Sequence, residues 1–363
     1  MRTAVVSDLH LGVSSRRDLA RGGAPRDRLL GALEGAERVV LLGDTVELRE
    51  RPLAEALEGV RPFFVALGEA LAGRRVVLAP GNHDHGLGGP WLARLRLDGA
   101  ALESQGEWPV APGDGAAGRI ASWMPEVELS LAYPGLWLRP GVYATHGHYL
   151  DVHLTVPRLE SIAASFMGLL TGRGRSCASA AEYEAVLGPM YAFHGELAQG
   201  SARRMFARGG HVSRDVWQRV NGSADGRLGA AAGRFLIGSV TIPAAVLALN
   251  RIGMGPFSAE LTAVELRRSG LLAMGRVADT LAPAAEHVIF GHTHRPGPLP
   301  GDEQPEWTTL RGARLWNSGS WFLESVLTRG SRDSPYWPGT VLSVDDHGPP
   351  RIENAMRDLE LAA

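Results

Sequence analysis

The sequence predicts a layered α/β fold, and three observations carry the prediction. Nearly continuous apolar runs recur at Thr3–Val6, Arg38–Leu42 and Arg75–Ala79. Each run ends in a turn signal, the pattern of strands buried on both faces. Helical patterning, around Pro25–Ala36 and Leu53–Leu71, separates the runs. Strand, helix, strand, helix, strand in that order argues layers of helices on sheet.

Further strands follow. Leu136–Leu138 and Val142–Thr145 flank Arg139–Pro140–Gly141, which reads as a hairpin or tight turn. His287–Phe290, Ala313–Trp316 and Thr340–Val344 supply more. Between about Asp151 and Arg276 the rhythm changes to helical patterns, at Leu159–Leu170, Ala180–Val186, Arg214–Val220 and Phe235–Leu249. The expected organisation is therefore a core of residues 1–150 and 277–355, with 151–276 as a helical insertion or cap. Phe235–Leu249 is too short for a standard membrane span. It reads as a buried helix of the insertion, with an apolar wall for a greasy substrate as the alternative.

With 363 residues, 45% of them apolar, the chain has ample material for a core. Its net charge of −2 does not suggest nucleic-acid binding by the chain as a whole. Residues 153–251, however, hold 11 Arg against six acids, so the insertion is basic and the remainder acidic. All 37 basic residues are Arg, so each cationic contact to a phosphate would be a guanidinium fork. The lone Cys177 excludes an intramolecular disulfide. The amino terminus has no signal-peptide layout, and a cytoplasmic protein is expected.

Five short motifs hold the chemistry: Asp8–Leu9–His10, Gly43–Asp44, Gly81–Asn82–His83–Asp84, His146–Gly147–His148 and Gly291–His292–Thr293–His294. They follow the ends of apolar strands, the edge at which open α/β sheets bind ligands. Each alone is a weak signal; the argument is the set. Carboxylates, imidazoles and a carboxamide at one edge suit two divalent metal ions. Such a pair generates a nucleophile at neutral pH and offsets charge on phosphoryl oxygens. Mixed nitrogen and oxygen ligands point to Mn, with Fe, Zn or Ni as alternatives, and away from Ca. His148 is an alternative to His146. His85 is expected outside the ligand shell, and His153, His194, His211 and His287 are expected to be core or surface histidines.

The order D-x-H, GD, GNHD, HGH, GHTH resembles the calcineurin-like metallophosphoesterases. Asn317–Ser318–Gly319–Ser320–Trp321 is similar to the strand-end segment that often follows GHTH in that family. The resemblance implies two mixed sheets sandwiched and flanked by helices. It implies hydrolysis by a metal-bridging hydroxide, with Asp8, His10 and His294 on one metal, Asp44 bridging, and Asn82, His146 and His292 on the other. His83 would contact the phosphate and act as general acid, and Asp84 would orient His83.

The openings SDLHLG and GHTHRP also resemble the UDP-2,3-diacylglucosamine pyrophosphatase branch. This chain departs from that branch in having His83 where Arg is typical and His148 where Asp is typical, and its insertion is longer. The resemblance therefore implies a phosphate mono- or diester or a pyrophosphate, of amphiphilic or nucleotide type, without fixing the substrate. A basic, apolar insertion is also compatible with peripheral membrane contact. Two other classes remain open: a nuclease-type phosphodiesterase using the insertion's arginines, and a non-catalytic metal-binding scaffold using the insertion to hold a partner.

Overall fold

A computed structural model describes residues 1–199, 242–258, 260, 262–328 and 330–359. The first strands are the apolar runs themselves: β1 (Thr3–Val6), β2 (Arg38–Leu42) and β3 (Arg75–Ala79). Two short strands complete the amino-terminal sheet on this side, β4 (Glu107–Pro109) and β5 (Glu128–Ala132). The sequence reading did not name either one. β4 is only three residues long, and β5 alternates polar and apolar residues where β1, β2 and β3 are nearly continuously apolar. A hairpin of β6 (Gly135–Arg139) and β7 (Val142–Thr145) follows as expected. The remaining strands are β8 (His287–Phe290), β9 (Arg314–Asn317), β10 (Thr340–Val344) and β11 (Arg351–Asn354).

Two mixed sheets result, of order β11-β10-β1-β2-β3-β5-β4 and β6-β7-β8-β9. β1, β2, β3 and β5 run parallel, as do β7, β8 and β9. The sheets pack face to face through one apolar layer that includes Val5, Val40, Leu42 and Val77 from the first and Val142, Ala144 and Ile289 from the second. Neighbouring residues on the same strands point the other way, as the two-residue period demands. Val6, Leu41 and Leu78 meet helices α1 (Gly23–Leu33) and α2 (Leu53–Ala70) in the larger core. The outer face of the second sheet is covered by helix α8 (Ala263–Leu281), whose Leu271, Met274, Val277 and Leu281 are buried with Val288 and Phe290. Helix, sheet, sheet, helix is the expected four-layer sandwich.

The insertion differs from expectation at its far end. α8 is one continuous helix across residue 276, so its residues before that position belong to the layer that covers the second sheet. Periodicity could not reveal this, because a cap helix and a covering helix carry the same apolar stripe. Helix α5 (Leu159–Leu170) lies where the pattern put it. Helix α6 runs from Ala180 to Gln199, straight through Pro189 and well past Val186. Arg214–Val220, His211 and Phe235–Thr241 lie outside the described residues. The remainder of the apolar run begins helix α7 (Ile242–Arg251), where Val246 is buried against Met254 and Phe257 while Leu247 is exposed. Among the described residues no helix is long and apolar enough to cross a membrane.

α6 is tied to the core by a buried carboxylate. Glu184 accepts hydrogen bonds from His85 Nε2 at 2.9 Å, Tyr133 OH at 2.6 Å and Tyr149 OH at 3.2 Å. Burial alone would raise its pKa, but these donors and the His85 charge lower it. Glu184→Ala would strand three buried donors. It is expected to lower the stability by about 3 kcal/mol, measured from denaturant midpoints. A midpoint equal to the parent chain would show that this contact does not fasten the insertion.

Candidate dinuclear metal centre

All five motifs meet at one place. Asp8 and His10 follow β1, Asp44 follows β2, Asn82 and His83 follow β3, His146 follows β7, and His292 and His294 follow β8. The site thus straddles the carboxyl ends of parallel strands in both sheets. Aiming those side chains inward bends the backbone. Asp8, His10, Asp44, His292 and His294 all have positive φ, between 46° and 65°. For non-glycine residues such geometry costs roughly 1–3 kcal/mol each and persists where the surroundings impose it. Gly43 serves the same turn at φ +84°, where any Cβ would collide with the His146 ring.

Two triads of ligand atoms result, each within 4.8 Å: Asp8, His10 and His294, and Asp44, His146 and His292. A third grouping of His10, Asp44 and His83 joins them. His294 Nε2 lies 3.2 Å from Asp8 Oδ1 and 3.2 Å from His10 Nε2. Asp44 Oδ2 lies 3.3 Å from His146 Nε2 and 3.8 Å from His10 Nε2, between the two triads. The structure brings His146, not His148, into this set. His148 is buried beyond it, stacked on Tyr133, and the strong burial and nearby imidazolium charges push its pKa well down.

The far nitrogen of each clustered imidazole faces an oxygen. His146 Nδ1 meets Leu42 O at 2.9 Å, His292 Nε2 meets Asp151 at 3.1 Å, His10 Nδ1 meets Glu47 at 3.4 Å, and His294 Nδ1 meets Glu324 at 3.6 Å. Such partners fix the tautomer and turn the other nitrogen to the site as a ligand. Asp8 Oδ1 is buried without a hydrogen bond. The side-chain oxygen of Asn82 faces His146 Nε2 at 3.2 Å, His292 Nδ1 at 3.1 Å and Asp44 Oδ2 at 3.3 Å. Lone pairs turned on one another in this way fit divalent cations lodged between them, and the donor set suits two.

Ionisation points the same way. Burial depresses His146 and His294, but Asp44 and Asp8 outweigh it, and their pKa values rise to about 9 and about 10. Carboxylates that draw protons onto these imidazoles would draw cations to the same place. Both groups lie above an unfolded histidine near 6.5, so their stabilising contribution is fully present below that pH and disappears as pH rises through 9–10. The metal-stripped chain is expected to lose on the order of a few kcal/mol of stability between pH 6.5 and 10. Metal-loaded chain should hold its melting temperature over that window, since metal has displaced those protons. Parallel melting curves for both forms would refute this account.

Asp84 requires a correction. Its carboxylate accepts the backbone N–H groups of Gly81 at 2.7 Å, Thr45 at 2.7 Å, Asp44 at 3.2 Å and Val46 at 3.3 Å. It stitches two site loops together and does not reach the His83 ring. Neighbours in sequence here point to different partners. His83 Nδ1 is held at 2.6 Å by Glu47, a residue the sequence reading did not single out. Burial would raise the Glu47 carboxyl, but the His83 and His10 imidazoles hold it far below the usual carboxylate range. Its signal was available, three residues after Asp44 at the end of the same turn.

Arg49 was also missed. Its Nε donates to Asn82 O at 3.0 Å, one terminal nitrogen lies 3.4 Å from His83 Nε2, and the other lies 3.2 Å from the Asn82 amide nitrogen. Donors of Arg49, Asn82 and His83 thus face a common point beside the triads, an arrangement that calls for an anion. The insertion reaches this point: the Arg49 guanidinium sits 5.7 Å from the centre of the Tyr191 ring. His194, expected to be a bystander, is close enough that burial and the Arg49 charge lower it to about 4. His153 bonds Tyr183, and His287 accepts from Trp316, both remote from the ligands.

Comparisons with known proteins agree with this chemistry. Residues 1–169 match the family described as calcineurin-like phosphoesterase. Over that stretch the chain is similar to calcineurin-like phosphoesterases. His292 and His294, which belong to the two triads, lie beyond the matched stretch. A solved dimetal phosphatase from Danio rerio is 14% identical, with 95% of this chain and 93% of that one covered and a TM-score of 0.33. No curated protein matches the chain.

Proposed function

We propose that the protein hydrolyses a phosphate mono- or diester or a pyrophosphate of amphiphilic or nucleotide type, using two manganese ions. Asp8, His10 and His294 would hold one ion, Asn82, His146 and His292 the other, with Asp44 shared. The observation that carries the reading is the convergence of both triads with the Arg49, Asn82 and His83 donors. When bound, the two cations supply Lewis acidity toward phosphoryl oxygens and a water acidic enough to react at neutral pH.

The chain's own residues do the rest. Arg49 and the Asn82 amide bind the phosphoryl oxygens not taken by metal. Glu47 fixes His83 Nδ1, so the proton available for the leaving oxygen sits on Nε2. Tyr191 brings the insertion against the Arg49 guanidinium of this donor cluster.

The test is a substrate panel with manganese-loaded chain: p-nitrophenyl phosphate, its bis ester, cyclic nucleotides, nucleotide diphosphate sugars, phospholipids and single-stranded DNA. Turnover of small or amphiphilic esters with two metals per chain by elemental analysis supports the reading. Activity confined to DNA would replace it with a nuclease, and inactivity with fewer than two metals would leave a scaffold.

A further inference from the structure

A cleft opens beside the metal centre, with His292 and His294 in its wall. Most of the lining is apolar, Leu154, Leu271 and the indole of Trp307 among it. The described part of the apolar run from Phe235 contributes nothing to it. In the reading above the phosphoryl group is met by Arg49 and His83, neither of which lines this cleft.

Three guanidiniums also line the cavity. Arg295 is taken by Asp302, at 2.6 and 3.0 Å, and Arg267 by Glu306, at 2.8 Å. Arg158 has no carboxylate in ion-pair contact among the described residues, although its charge is near enough to lower Glu160. All three are near enough to the Tyr336 hydroxyl to lower its pKa, against burial and Glu324, which raise it. Trp307 is 1% exposed, and its indole N–H has no acceptor. A buried donor left so is costly, and a ligand oxygen would satisfy it.

We propose that this cavity receives the organic portion of the substrate, and that this portion has an apolar body and a second anionic group met by Arg158 and the Trp307 N–H. The second group is a carboxylate or a further phosphoryl. The inference rests on the phosphoesterase reading above and names the substrate class of that same site.

Octyl phosphate and its ω-carboxy counterpart differ only in the second anion. Metal-loaded parent chain should favour the carboxy ester by about tenfold in kcat/KM, the worth of one charge-assisted hydrogen bond. Arg158→Met should erase that preference. Gly270→Leu grows into the cavity from α8, where a Cβ meets only Thr293 at 3.7 Å. It should lower kcat/KM for both octyl esters about tenfold relative to p-nitrophenyl phosphate. Calorimetric binding of the corresponding ω-carboxyoctylphosphonate should weaken about tenfold in Arg158→Met, with octylphosphonate as the control. No preference in the parent chain, or equal losses for both esters in Arg158→Met, overturns the proposal. Failure of every ester would sink the phosphoesterase reading instead, and phosphonate binding that depends on Arg158 would still support the cavity.

Discussion

Asp44→Asn is expected to lower kcat/KM by about 10³-fold or more, because the proposal has this one carboxylate shared by both metals and pre-organised electrostatic groups are worth roughly 3 kcal/mol each. Asn preserves the shape and can still accept the His83 backbone N–H, which now reaches Asp44 Oδ1 at 2.8 Å. What it removes is the charge facing His146 and His10. Elemental analysis should therefore show fewer than two metals per chain, while the melting temperature of the metal-stripped form separates this loss from misfolding. A variant that keeps both metals and full turnover would mean that Asp44 does not bridge.

The second large effect concerns Glu47 and His83. Each of His83→Ala and Glu47→Gln should lower kcat by about 10²–10³-fold, the usual worth of a positioned general acid. The double variant should lose little more, since the carboxylate acts through the imidazole. The discriminating measurement is the leaving group. A poor leaving group such as an alkoxide needs the His83 proton, whereas p-nitrophenolate departs without it. Alkyl esters should therefore suffer more than p-nitrophenyl phosphate. Equal losses on both would reduce His83 to a phosphate contact, and additive losses would separate Glu47 from it.

Much of this was legible in the chain, for identifiable reasons. Strands buried on both faces read as unbroken apolar runs, so β1, β2, β3, β8 and β10 were visible, and each ligand sat at a strand end where a turn must follow. Amphipathic β5 was not, because its alternation is weaker than a continuous run. Helix α6 was cut short at Val186 because Pro189 argues locally against a helix that packing against the core sustains.

The sequence by itself determined the sandwich's layers and the polar residues that gather at one edge of its sheets, because these depend on short-range patterns: strand periodicity and polar residues at turns. Only the tertiary structure decided which carboxylate serves which imidazole. Asp84 is adjacent to His83 but bonds backbone, and Glu47, 36 residues away, bonds the ring. It likewise brought His146 rather than His148 into the triads, drew Arg49 to Asn82 and His83, and opened the cleft at Arg158. Those choices depend on the direction of side chains and the distance between sheets, which arise when two sheets close on one another and which no local spacing encodes.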